Sequence, residues 1–408
     1  MPQVLATLAA IVLLALVLQD AFEVMLLPRR VSRRLRFTRI YFRLAWAGWV
    51  RIARLASENS RREVLLSHFG ALSMLGLFFL WAGALIVGFG VLEWAFQGTP
   101  GRGQQHSPVF EQIYMSGVTF FTLGYGDVLP HTGAARLVTV AEAGTGIGFI
   151  AVVIGYLPVL YQLFSRREAH VIQLDARAGS PPTAVEMLCR HAEADGLDRL
   201  NDLLRDWEVW AAELLESHLS YPMLAFYRSQ HEDQSWLAAL AVVMDCCALI
   251  LVGVKGPSPL QARMSFTMAR QVVVEMARSF EIEPSRYDGG DRLPAAAFAA
   301  MLDTFAEVGL AWEAGAEGAT TLLALRATYE PLLDGLARHL LLPLPGWIPD
   351  KNAMDHSERG HRGILARRLV EHLLERQDAA GSRAGTSVGH GPDQHASLWR
   401  SLRRRLRD

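Results

Sequence analysis

The sequence predicts an all-α membrane protein with three transmembrane helices, a short helix and loop between the second and third, and an all-helical soluble half. Three observations carry that reading. Residues 4–27, 69–92 and 137–164 are each apolar over the roughly 20 residues that a helix needs to cross a bilayer core of about 30 Å. The charge is divided: residues 1–165 carry a net +5 and residues 166–408 a net −6, within a 408-residue chain of net charge −1. Residues 166–342 show helical spacing of apolar residues and no series of alternating strands. The near-zero net charge excludes nucleic acid as the main partner, because phosphate binding calls for a basic surface. Three cysteines, Cys189, Cys246 and Cys247, exclude a disulfide framework.

The first stretch has no basic leader and nothing like an A-x-A site after it, so it reads as a retained anchor. Residues 29–62 hold 11 arginines against one acid, Glu58, which makes this segment cytoplasmic by the positive-inside rule. The N-terminus is then outside, the second helix runs outward and the third returns, closed by Arg166 and Arg167. The loop at about 93–136 lies outside. Within the basic segment Phe37, Tyr41, Leu44, Gly48, Ile52 and Leu55 recur at helical spacing, with Arg36, Arg43, Arg51 and Arg54 on other faces beside Trp46 and Trp49. That pattern predicts an interfacial helix on anionic lipid. Arg30, Arg33, Arg36 and Arg39 also repeat every third residue. A voltage sensor is the weaker reading, because only one helix precedes them and Arg29 and Arg34 break the spacing.

The loop between the second and third spans is the informative part. Residues 108–127 read PVFEQIYMSGVTFFTLGYGD, an apolar helix over about 109–121 that runs into two spaced glycines, Gly124 and Gly126. Glycine permits backbone angles that other residues avoid. With such angles alternating, successive carbonyls all point to one side, and four such strands around an axis make rings of oxygens that replace an ion's hydration shell. The run TxxTLGYGD from Thr119 to Asp127 resembles the selectivity-filter signature of potassium channels. The flanking helices are similar to the outer and inner helices of the two-helix pore unit, over about 64–165. The resemblance implies a homotetramer whose ion-binding segment is Thr122, Leu123, Gly124, Tyr125 and Gly126, through backbone carbonyls and the Thr122 hydroxyl. Thr119 and Asp127 then support the filter. Three departures stand out: Leu123 replaces the common valine, Phe121 replaces a small hydroxyl residue, and Val118 stands where some members place a glutamate that pairs with the filter aspartate.

In the third span Gly144, Gly146 and Gly148 make a soft point, since glycine costs about 1 kcal/mol in a helix interior relative to alanine. By resemblance Gly146 is the gating hinge; close packing through small residues is the alternative. Gly155 and Pro158 come next, and the proline predicts a kink near the cytoplasmic mouth. Leu157, Val159, Leu160 and Phe164 are candidates for an apolar constriction there. Glu142 is an ionisable group inside a span. It either modulates the pore, as a proton sensor or through ion occupancy, or bonds the pore helix, His68 or Thr119.

In the soluble half helices are predicted at 183–194, 197–218, 236–254, 259–280, 294–313 and 319–342. Neither a Rossmann-type nor a β-roll domain fits. Residues 236–254 are long enough for a fourth span, but Asp245 at the centre costs about 3 kcal/mol in lipid, so a buried helix is expected, with Cys246 and Cys247 in its core. His356, Glu358 and His361 lack metal-ligand spacing. Residues 379–397 read as disordered, and the arginine-rich end 398–408 binds anionic lipid or the acidic domain, or is solvated.

The expected organisation is 1–28 anchor helix, 29–63 basic segment, 64–165 pore domain, 166–345 helical cytoplasmic domain and 346–408 tail. The expected function is a potassium-selective channel, passive and not an enzyme, with no cofactor beyond the permeant ion. The helical domain either regulates the inner-helix gate or holds the tetramer together. The localisation is the plasma membrane, with the two lysines against 38 arginines pointing to a GC-rich bacterium and hence its inner membrane. A weakly selective cation channel and a non-conducting sensor or scaffold on a pore fold are the alternatives.

Overall fold

The structure is a computed structural model that describes residues 2–26, 37–56, 59–97, 108–193, 196–229, 234–283 and 291–349. Residues 29–36, with Arg30, Arg33 and Arg36 of the arginine repeat, and everything from residue 350 onward, with His356, Glu358, His361 and the basic end, lie outside the described residues. Among the described residues every regular element is helical, and one isolated bridge joins Val254 to Trp312. The helices are α1 (Pro2–Met25), α2 (Phe37–Leu55), α3 (Asn59–Phe96), α4 (Val109–Phe120), α5 (Gly133–Ala178), α6 (Ala184–Glu193), α7 (Leu197–Ser220), α8 (Trp236–Val252), α9 (Pro259–Ser279), α10 (Ala295–Glu307), α11 (Gly318–Arg326) and α12 (Glu330–Leu340).

Three of them, α1, α3 and α5, are long and apolar enough to cross a membrane. The 38 residues of α3 and 46 of α5 reach about 57 and 69 Å at 1.5 Å per residue. Both outrun the bilayer core, so each continues into the soluble half. On α1, Ala10, Leu14, Val17, Ala21 and Val24 recur every three or four residues and are buried with Leu77, Trp81 and Leu85 of α3. Gly88 leaves the room that the Leu14 side chain fills; a Cβ there would lie 2.7 Å from it. Asp20 is buried near the end of this span because three donors meet it: the Thr38 hydroxyl at 2.5 Å, the Thr38 amide at 3.4 Å and Trp81 Nε1 at 3.1 Å. One carboxylate thus holds the first turn of α2, where helix amides are otherwise unpaired.

The amphipathic pattern of α2 divides differently from the sequence reading. Phe37, Leu44, Ile52 and Leu55 are exposed. Tyr41 turns inward, donating to the Ser73 carbonyl of α3 at 2.8 Å. Trp46 and Trp49 also face protein, donating to the His339 and Leu65 carbonyls at 2.9 Å each.

In the soluble half α8 is buried on all sides, in one core with Val171, Leu174 and Ala178 of α5. Asp245 has polar partners in that core: both its oxygens lie 2.8 Å from Arg292 and one accepts from the Tyr329 hydroxyl at 2.7 Å. Arg292 and Arg326 both bind Glu330 and lie over the Trp347 ring. Cys246 and Cys247 are buried, and burial pushes both thiols up. The helix expected at 294–313 ends at Glu307, with Gly309 at φ 74° turning the chain. The one expected at 319–342 breaks into α11 and α12, because Pro331 has no amide hydrogen to continue a helix. By contrast α5 runs on through Pro158, and residue 165 falls inside it.

Where α5 leaves the membrane half, Arg167 is buried in a joint. Its guanidinium donates to Glu168 at 2.8 Å, to the Leu224 carbonyl at 2.9 Å and to the Tyr227 carbonyl at 2.8 Å, and lies 5.2 Å over the Phe164 ring. Tyr227 in turn packs on Gly70 of α3. His218 sits 3.4 Å from Arg167 through Nε2 and 2.9 Å from the Leu214 carbonyl through Nδ1. These partners fit a neutral ring that donates from Nδ1 and accepts at Nε2. Burial, and then the Arg167 charge, lower the His218 pKa well below its ordinary value. The unfolded chain therefore binds a proton near pH 6.5 that the folded chain refuses. Stability is full above that pH and falls as pH drops through it, by up to about 1.4 kcal/mol per unit. Thermal unfolding between about pH 8 and pH 5 is expected to show this fall, and His218→Gln to flatten it in part, since His191 and His339 are also lowered by burial.

Candidate functional site: the pore helix and the filter segment

The 12-residue helix α4 is amphipathic, with Gln112, Met115, Ser116, Val118 and Phe120 buried. It is clamped on two sides by glycines. A Cβ on Gly90 of α3 would lie 2.6 Å from the Ile113 backbone, and one on Gly146 of α5 would collide with the Phe120 carbonyl oxygen. Gly146 is therefore a point of close backbone approach. Gly144, Gly148 and Gly155 have open space at the same position, and Gly155 and Pro158 are exposed in the single chain.

The end of α4 sets the geometry of residues 121–127. The Thr122 amide donates to the Thr119 carbonyl at 3.0 Å and the Leu123 amide to the Val118 carbonyl at 2.8 Å. That pair of bonds, with a left-handed residue between helix and exit, is a Schellman ending. Glycine usually occupies that position; here it is Thr122, at φ 59°. A β-branched residue there is strained by about 1–3 kcal/mol. Gly124 at φ 61° and Gly126 at φ 74° continue the pattern. Left-handed backbone thus recurs at every second residue, 122, 124 and 126, with Leu123 and Tyr125 between. The two glycines were legible in the sequence, and the strained threonine was not. Residues 121–127 are all exposed in the single chain.

Beyond the turn, Asp127 accepts from the Val128 amide at 3.1 Å, and the Tyr114 hydroxyl of α4 faces it. Val118 is buried and supplies no carboxyl. Thr119 contributes its backbone carbonyl and is half-buried. Gln97, at the end of α3, ties the outer loop: Oε1 accepts from the His131 amide at 3.0 Å, and Nε2 donates to Gln112 at 3.0 Å. Thr132 caps α5 and donates to the Phe96 carbonyl at 2.6 Å.

Behind α4, Glu142 is fully buried and hydrogen-bonded to Ser116 of α4, so of the partners foreseen for it the pore helix is the one that binds. His68 bonds its own helix at the Val64 carbonyl. Glu93, placed by the sequence at the start of the loop, belongs to α3, is equally buried, and accepts from Thr139 at 2.5 Å. Sequence reasoning passed over Glu93, Ser116 and Gly90. The one available signal was a serine on the buried face of α4, one helical turn after Gln112.

The helix α5 is apolar yet little buried: 11% of its most apolar stretch is covered within the chain, against 50% for α3. Val140, Ile147, Ile154 and Tyr161, seven residues apart, form an exposed stripe along it.

A span–short helix–loop–span arrangement of this kind is the pore unit of an ion channel. Residues 74–162 match the family model described as an ion channel. Protein LctB of Geobacillus stearothermophilus is 30% identical over 122 residues, which cover 27% of this chain and 90% of LctB. Two-pore potassium channel 4 of Arabidopsis thaliana is 31% identical over 90 residues, 22% of this chain and 28% of the plant protein. The uncharacterized membrane protein YdjJ of Bacillus subtilis (strain 168) is 27% identical over 146 residues, 35% and 41% of the two chains. The chain thus spans well under half of the latter two. No solved structure matches it. The chain belongs to the potassium channel family.

Two substitutions test the clamp. Gly146→Ala forces a methyl group onto the Phe120 carbonyl, and overpacking of this kind costs about 1–3 kcal/mol; the expected readout is a lower melting temperature of the assembled protein. Gly148→Ala, which meets open space within the chain, serves as the comparison and is expected to cost less.

Proposed function

We propose that the protein is a potassium-selective channel that conducts passively across the plasma membrane as a homotetramer, with its gate at the inner helices coupled to the helical domain. The observation that carries this is the left-handed backbone at residues 122, 124 and 126, at the end of a short helix held between two spans. That alternation is what lets the carbonyls of Thr122, Leu123, Gly124 and Tyr125 face one way, with the Thr122 hydroxyl below them and Gly126 turning the chain outward. One chain supplies one such strand, so four are needed to ring an ion. The exposure of residues 121–127 and of the α5 stripe supports subunit contact and pore lining on those faces. The α4 helix would direct the partially negative end of its dipole toward the ion path.

The Arg167 joint supports the coupling. Phe164, a constriction candidate, lies under a guanidinium that also donates to the carbonyls of Leu224 and Tyr227 of the helical half. Motion of that half is carried into α5 without an intervening linker. Gly155 and Pro158 lie nearer the membrane on the same helix and are where it would bend. The exposed stripe Phe37, Leu44, Ile52 and Leu55, flanked by exposed Arg43, Arg51 and Arg54, fits an anionic lipid surface on the cytoplasmic side. The inner membrane of a bacterium, with the N-terminus outside, accommodates this arrangement.

In planar bilayers under a potassium/sodium gradient, the current is expected to reverse near the potassium equilibrium potential. Gly124→Ala places a side chain where left-handed backbone costs an L-residue about 1–2 kcal/mol, and is expected to abolish that selectivity. Current that ignores the potassium gradient in the wild type would overturn the reading. Arg167→Gln is expected to change open probability while leaving the reversal potential unaltered; an unchanged open probability in a correctly assembled tetramer would overturn the coupling.

A further inference from the structure

The polar cluster behind the pore helix holds more acceptors than its hydrogens can serve. Ser116 Oγ lies 2.7 Å from the Ile86 carbonyl of α3 and also contacts Glu142 Oε1 of α5. Thr139 Oγ1 lies 2.5 Å from Glu93 Oε1 and 3.0 Å from the Ala135 carbonyl. A hydroxyl carries one hydrogen, so two hydrogens are spread over four contacts. Glu93 Oε2 and Glu142 Oε2 are buried without a donor. The two carboxyl groups also lie within hydrogen-bonding reach of each other. Two bare carboxylates at that separation in an apolar setting repel strongly, and only a proton on one of them turns their contact into a bond.

Among the described residues no other charge relieves them. Each carboxyl's only ionisable neighbour with an electrostatic effect, among those residues, is the other. Asp20 of α1 is occupied with Thr38 and Trp81. On α3, Glu63 pairs with Arg228 and His68 bonds Val64, both at the opposite end of the helix. On α4, Glu111 is exposed and Tyr114 faces Asp127. On α5, Arg136 is exposed and donates to the Pro130 carbonyl, and His131 before it is exposed.

We propose that Glu93 and Glu142 form a proton-binding site behind the pore helix, and that the bound proton pins α4 between α3 and α5. With the proton in place, a carboxyl supplies the missing donor, and Ser116 is free to donate to the Ile86 carbonyl while still touching Glu142. Without it, two like charges face each other across the α3–α5 contact that seats α4. The helix then loses its seat six residues before Thr122. Glu93 lies one turn from the outer end of α3, so the site titrates with the outer solution. Alkaline conditions outside release the proton and shut the filter. Reading this through ion flux rests on the proposed conduction; the proton itself is read independently of it.

The test uses the full-length protein in lipid. Infrared difference spectra between neutral and alkaline pH are expected to show the carbonyl band of a protonated carboxylic acid, lost at alkaline pH and lost in both Glu93→Gln and Glu142→Gln. Each glutamine keeps the size and supplies a permanent donor, and tetramer size checks assembly. Absence of the band, or its persistence in both variants, would overturn the site. Potassium flux into proteoliposomes is expected to fall as external pH rises, by up to about tenfold per unit for one proton, and to stay flat in both variants. A titrating band with flat wild-type flux would overturn the pinning of α4. A titrating band with no flux at any pH would overturn the conduction reading and sustain the site.

Discussion

In an extended segment, backbone carbonyls can all face one way only if the chain takes left-handed angles at every second residue, and L-residues resist those angles. The arrangement around residues 121–127 answers that constraint. Glycine meets it twice, at 124 and 126. At 122 a threonine is forced into it by the two hydrogen bonds that end α4. The strain at Thr122 is held only because α4 cannot move. Gly90 and Gly146 bring the backbones of α3 and α5 against its two ends, and Ser116 ties its middle to both helices. The turn is therefore a property of four segments together, since the local sequence alone would unwind it.

The second organising feature is that α5 belongs to two cores. Tyr156 and Leu160 pack with α1 and α3 in the membrane half, and Val171, Leu174 and Ala178 pack with α8 in the soluble half. Arg167 sits at the crossing. A buried guanidinium there is satisfied only while Leu224 and Tyr227 present their carbonyls, so helix and soluble half hold each other's geometry. The guanidinium charge is paired with Glu168, and removing that carboxylate would leave an uncompensated buried charge, at a cost of about 3–5 kcal/mol. The α2 helix adds a second bridge, with Trp46 among Phe69 of α3 and Phe226 of the soluble half.

Much of this was legible in the sequence because it rests on composition and local spacing. Three apolar stretches, the helix before the double glycine, and the buried helix at 236–252 are visible as runs and periods. What escaped depends on partners far along the chain. Asp20 is, in the sequence, one charge near the end of the first apolar stretch, and only Thr38 and Trp81 explain its burial. Glu93 reads as the first residue of a loop, because a hydropathy boundary falls where a carboxyl finds a hydroxyl donor 46 residues later. Tyr41 reads as part of a lipid-facing stripe and turns inward because its hydroxyl finds Ser73. Pro158 reads as a kink in α5, and the helix is continuous through it, packed on both sides of the proline at Tyr156 and at Leu160.

If four copies of residues 122–126 ring a path for ions, the ions themselves should be visible there. A structure of the purified assembly by electron cryomicroscopy or crystallography, with rubidium or thallium replacing potassium, would locate them. A single file of density is expected on a fourfold axis, level with the carbonyls of Thr122, Leu123, Gly124 and Tyr125. An assembly in which these residues face protein or lipid, with no ion density between them, would contradict the ring.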